Sequence, residues 1–133
     1  MKYAKMEKLL KAIENMKGEN NLRNNVLDII INYIEDYENF EEVRSFIEDI
    51  RNYGCVNGMS GELIYYYDIK KFFIDNMEDI QDYINQLIQD GIYSIYELNI
   101  NEIVWATFET IANDYFYMIE NEMDNIEEDE EEL

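Results

Sequence analysis

Asn99-Ile100-Asn101-Glu102-Ile103-Val104-Trp105-Ala106-Thr107-Phe108-Glu109-Thr110-Ile111-Ala112-Asn113-Asp114-Tyr115-Phe116-Tyr117-Met118-Ile119-Glu120 decides the fold class. Within it Ile100, Ile103, Val104, Phe108, Ile111, Tyr115, Met118 and Ile119 recur at helical spacing, which lines them along one face of a helix. Asn99 followed by Glu102 has the N-cap and N3 arrangement of a capping box, with Asn replacing Ser or Thr. Trp105, Phe116 and Tyr117 fall off the stripe and are expected to touch neighbouring helices or lie half exposed. With the stripe turned inward, Glu102, Glu109, Asp114, Glu120 and Asp124 face solvent.

The same pattern extends upstream. Met6, Leu9, Leu10, Ile13 and Met16 mark a first helix that Gly18 is expected to cap. Asn20 or Asn21 can cap a second, with an apolar face of Leu22, Val26, Ile29, Ile30, Tyr33 and Ile34. Asn39 and Glu42 form another capping pair before Phe40, Val43, Phe46, Ile47 and Ile50, and Gly54 stops that helix. Residues 54–61 hold three of the five glycines and read as a loop. The aromatic run 63–67 has no second strand to pair with, so a helical turn or an extended segment is favoured over a minor short strand. Asp68 can cap a long helix carrying Ile69, Phe72, Phe73, Met77, Ile80, Tyr83, Ile84, Leu87 and Ile88 as far as Gly91. Asp75 with Glu78 gives that helix a signal to restart, and so a kink. The reading is an all-α fold, a compact single domain of five or six helices over 1–126. The acidic run 127–133 is expected to fray, because like charges at adjacent turns weaken a helix.

Composition narrows function further. A chain of 133 residues with 47% hydrophobic and 14% aromatic content can bury a core, despite a formal charge of −21. No segment reaches the length of a membrane span, and Met1-Lys2-Tyr3 leads into a charged amphipathic stretch rather than a signal peptide. The single cysteine, Cys55, fits a reducing cytoplasm. With no histidine there is no imidazole base or ligand, and one cysteine builds no thiolate cluster. The glycines at 54, 58 and 61 lack the Gly-Lys-Ser/Thr of a phosphate-binding loop, and no stretch matches an EF-hand. The expectation is a non-enzymatic protein without cofactor or metal.

Charge is the remaining signal. Residues 72–133 contain eighteen Asp and Glu and no Lys, Arg or His. Such a surface repels nucleic acid and anionic membranes and attracts basic proteins. Glu35, Asp36, Glu38, Glu41 and Glu42 lie on outward positions around the third helix, with Glu48 and Asp49 beyond them. Asp75, Glu78, Asp79 and Asp82 do so on the fourth, and Glu109, Asp114 and Glu120 on the last. Carboxylates a turn apart are separated by roughly 4.5–6 Å along a helix axis. Phosphates of one DNA strand advance about 3.4 Å each along the duplex. Rows of such carboxylates can therefore occupy a cationic groove built for nucleic acid. The partner expected is a basic nucleic-acid-binding host protein. A homodimer using Trp105, Phe116 and Tyr117 is the alternative.

The run Tyr53-Gly54-Cys55-Val56-Asn57-Gly58-Met59-Ser60-Gly61-Glu62-Leu63-Ile64-Tyr65-Tyr66-Tyr67-Asp68, continuing through Lys71-Phe72-Phe73, resembles a segment in small uncharacterised phage and prophage proteins. The similar portion spans about 53–90, with the Trp105–Glu109 region beside it. The resemblance implies a mobile-element origin and brings no catalytic residues with it. Small acidic phage proteins include inhibitors of restriction enzymes and CRISPR effectors that act as nucleic-acid mimics. By analogy the expected role is anti-defence, in the host cytoplasm.

Overall fold

One 32-residue helix forms the spine of the computed structural model, which describes residues 4–53, 71–72, 74–91 and 100–131. At 53, 87, 100–106 and 130–131 it describes the backbone alone. The helices in chain order are α1 (Ala4–Glu14), α2 (Asn21–Ile34), α3 (Phe40–Tyr53), α4 (Met77–Gln89) and α5 (Ile100–Glu131). All four shorter helices pack on α5, and α1 also packs on α2. The described residues contain no strand. The segment expected at 63–67, the loop at 54–61 and the Asn99 cap lie outside them. This is the all-α, single-domain architecture that the apolar periodicity calls for.

Being surrounded gives α5 a broad inward arc rather than a narrow stripe. Phe108, Ile111, Ala112, Tyr115, Phe116, Ile119, Met123 and Ile126 are buried along it. Phe116, which the narrow stripe leaves out, is fully enclosed and meets Phe46 of α3 edge to face at 6.2 Å. Met118, which that stripe includes, is 45% exposed. The other helices supply the facing residues: Met6, Leu9 and Ile13 from α1; Val26, Leu27, Ile30 and Ile34 from α2; Phe40, Val43, Phe46, Ile47 and Ile50 from α3. Phe72 adds an edge-to-face contact with Phe108 at 5.7 Å.

The helix ends are closed by side chains. Asn20 adopts extended backbone, and its Oδ1 accepts from the Arg23 N–H at 3.0 Å, so it caps α2. Asn39 Oδ1 accepts from the Glu42 N–H at 3.1 Å, while Glu42 Oε1 accepts from the Glu38 N–H at 3.3 Å. That is a capping box displaced by one residue on its return arm. Gly18 is not the cap of α1, which ends at Glu14. Instead the Asn24 amide clamps Gly18 from both sides, accepting from its N–H at 3.0 Å and donating to its carbonyl at 2.8 Å. Gly91 takes φ +74° after α4, where a Cβ would be strained, and its N–H reaches the Ile88 carbonyl at 3.1 Å.

The expected restart of the fourth helical segment falls at Asn76, whose backbone leaves helical geometry at φ −123°, ψ 24°. Phe72, Asn76, Ile80 and Ile84 form the inward ladder, one residue per turn, with a polar side chain on its second rung. Met77, expected to face inward, is therefore 51% exposed. Asn76 is buried and satisfied: its Nδ2 donates to the Phe72 carbonyl at 2.9 Å, and its Oδ1 accepts from Asn25 Nδ2 of α2 at 2.8 Å. Asn76→Ala should cost about 1–3 kcal/mol in urea unfolding, because it strands the partly buried Asn25 amide. Adding Asn25→Ala should then cost little more, the signature of a coupled pair.

Candidate protein-interaction surface

The chain has three arginines, Arg23, Arg44 and Arg51, and all reach from α2 or α3 to carboxylates of α5. Arg23 lies 3.7 Å from Asp114. Arg44 forks onto Glu127 through both terminal nitrogens at 3.2 Å and touches Asp124 at 3.3 Å. Arg51 contacts Glu120 at 2.6 Å and lies over the Tyr117 ring, 4.7 Å from its centroid. Hydrogen bonding to Glu127 holds the Arg44 guanidinium above its ordinary pKa, and Glu120 does the same for Arg51, with partial burial opposing both. The acidic end of α5 is helical to Glu131, and the Arg44 contacts fall within it. The Arg44 fork supplies the opposite charge that local sequence lacks.

Two lysines are used similarly. Lys17 bridges Asp28 and Glu14, the latter at 3.0 Å, and the Asp28 hydrogen bond raises its pKa. Lys71 meets Asp75 at 2.6 Å. Exposed pairs of this kind each contribute roughly 0–1 kcal/mol to stability. Their larger consequence is to decide which carboxylates remain without a cation.

Of the residues expected to bind a partner, Asp114 and Glu120 are thus paired across the α5 seams, and Asp75 is paired with Lys71. Glu109 is half-buried. Glu78, Asp79 and Asp82 are exposed on α4, and among the described residues no lysine or arginine pairs with them. Glu35, Asp36, Glu38, Glu41 and Glu42 gather at the exposed α2–α3 corner. Glu35 and Asp75 line one cleft of about 520 Å³ with Glu14, Asp28, Asn25 and Asn76. Glu38 and Glu41 line a second of about 440 Å³ with Lys5 and Arg44. Glu41, Glu42 and Asp49 line a third of about 410 Å³ with Tyr37, Ser45 and Phe46.

Periodicity gives no hint of this third cleft, since neither Tyr37 nor Ser45 falls on an apolar stripe. Among the described residues, no three His, Cys, Asp or Glu side chains are grouped to hold a metal ion. Nor does any described helix have the length and apolarity to cross a membrane. The off-stripe aromatics separate: Phe116 is core, Tyr117 is 66% exposed beneath Arg51, and the Trp105 side chain lies outside the described residues. A family described as "Domain of unknown function (DUF7222)" matches residues 19–125. No curated protein and no solved structure matches the chain.

Proposed function

Because the chain belongs to the DUF7222 family, whose function is unknown, we propose from its own residues that it is a non-enzymatic acidic protein that binds a cationic partner. The partner is a nucleic-acid-binding host defence protein, a CRISPR effector or a restriction enzyme, whose phosphate-binding groove the carboxylates occupy. One observation carries this reading. Every arginine is engaged along the α5 seams, leaving Glu41, Asp49, Glu78, Asp79 and Asp82 on α3 and α4 with no described cation. The seams give these anions a rigid base, so little ordering entropy is lost on docking. Small size and the −21 charge point the same way.

Association of this kind is steered by long-range charge and weakened by screening. Capture from host lysate at low salt should recover a nucleic-acid-binding protein. Raising the salt, or adding duplex DNA or RNA, should release it. Recovery of no such protein, or capture indifferent to both salt and nucleic acid, would count against the reading. The exposed Tyr117 and Met118 on α5 favour, as a second reading, a homo-oligomer, which light scattering would register as a dimer insensitive to salt.

A further inference from the structure

Arg51 shows how this protein holds a guanidinium: an aromatic ring, Tyr117, on one side and a carboxylate, Glu120, at 2.6 Å. The same two chemistries meet in the third cleft of the α2–α3 corner, whose described lining contains no arginine. Tyr37 and Phe46 line the cleft of about 410 Å³ there, with Glu41, Glu42 and Asp49 at its edge. Tyr37 is half-buried and set edge-on against Phe46 at 6.3 Å. Phe46 is itself buried, stacked by Tyr33 at 5.9 Å and braced by Phe116 at 6.2 Å, so the aromatic wall is rigid. Tyr37, Glu42 and Asp49 share the lining of the cleft, and burial foremost, then the charges of those two carboxylates, raise the Tyr37 pKa.

The spacing along α3 creates the opening. Glu41, Ser45 and Asp49 stand four residues apart, one above the other on one stripe, so the two carboxylates flank Ser45 by about one turn on each side. Ser45 is exposed and short, and leaves the space between them open. Glu42 is held in the helix cap, whereas neither Glu41 nor Asp49 has an ion-pair partner among the described residues. Arg44, which lines the adjoining cleft with Lys5, is held by Asp124 and Glu127.

Resting on the acidic-binder reading above, we propose that the cleft bounded by Tyr37, Ser45 and Asp49 seats an arginine side chain of the basic partner. A planar guanidinium stacks on an aromatic ring and forks onto a carboxylate, and it sheds water more readily than an ammonium. Lysine satisfies the charge but not the stack. This surface therefore selects arginine-bearing partners among basic proteins.

Calorimetric titration of the full chain with heptaarginine and with heptalysine tests the seat. Heptaarginine should bind about tenfold more tightly. Ser45→Leu, which fills the opening and changes no charge, should bring heptaarginine down to the heptalysine affinity while leaving heptalysine unaltered. Asp49→Asn, a second variant at a helix-surface position, should also remove most of the arginine preference. Circular dichroism should show both variants as helical as the parent. Equal affinity for the two peptides, or an arginine preference that survives Ser45→Leu and Asp49→Asn, would overturn the seat and leave the acidic-binder reading standing. Failure of both peptides to bind the parent chain would overturn the two together.

Discussion

Phe116→Ala is expected to cost about 3–5 kcal/mol of folding free energy, the range for truncating a fully buried aromatic. That is a large share of the roughly 5–15 kcal/mol by which a domain is stable. The side chain is completely enclosed, and its ring braces Phe46, which in turn contacts Tyr33 and Tyr37. Removing it opens a cavity between α3 and α5 that the neighbours fill only in part. Urea unfolding should show a lower midpoint with an unchanged slope, as for a change in stability without a change in compactness. A substitution costing less than about 1 kcal/mol would mean that this position is not core.

Reversing Glu78, Asp79 and Asp82 together to Lys should lower affinity for the cationic partner by about 100-fold or more, since each like-charge juxtaposition costs several kcal/mol. These carboxylates are the cleanest on the molecule to reverse, being exposed and without a described cation. Asp75 is excluded because its charge is shared with Lys71, so its reversal would confound two effects. The fold should be unharmed, since positive charge on a chain of −21 relieves self-repulsion. Glu78 and Asp79 do favour the α4 N-terminus, where lysine is unfavourable by about 0.3–1 kcal/mol per site. Salt titration of the captured complex, run beside circular dichroism, separates binding from folding. Unchanged affinity in a helical variant would remove α4 from the interface.

Apolar periodicity was sufficient for α1, α2, α3 and most of α5, because each buries residues three or four apart against one spine. The caps at Asn20 and Asn39 were equally legible, since both act within four residues of themselves. What sequence reading missed is non-local or polar. Asn76 occupies an inward rung of the fourth segment, and an apolar pattern shifts the face to Met77. Its partner Asn25 is fifty-one residues away, and nothing in either neighbourhood couples them. On α5 the width of the buried arc depends on how many helices surround it, so Phe116 and Met118 exchange roles. The carboxylates of residues 72–133 look unopposed along the chain, yet Arg23, Arg44 and Arg51 meet several of them in space. Segregation of charge in sequence is thus a poor guide to its segregation on a surface. The groups left without a described cation include Glu41 and Asp49 of α3, outside the imbalanced half, as well as Glu78, Asp79 and Asp82 of α4 within it.

The central position of α5 also bears on how the chain assembles. Its first helix finds its main packing partner about a hundred residues later, so a ribosome must synthesise nearly the whole domain before α1 can bury Leu9 and Ile13 properly. Distant pairing of this sort demands closure of a long loop before any reward is collected, which slows folding relative to bundles whose neighbours are consecutive. During that wait α1–α3 expose apolar faces with little net charge to keep half-made chains apart, since residues 1–53 hold eleven Asp and Glu against eight Lys and Arg. The strong mutual repulsion arrives only with the eighteen carboxylates of 72–133.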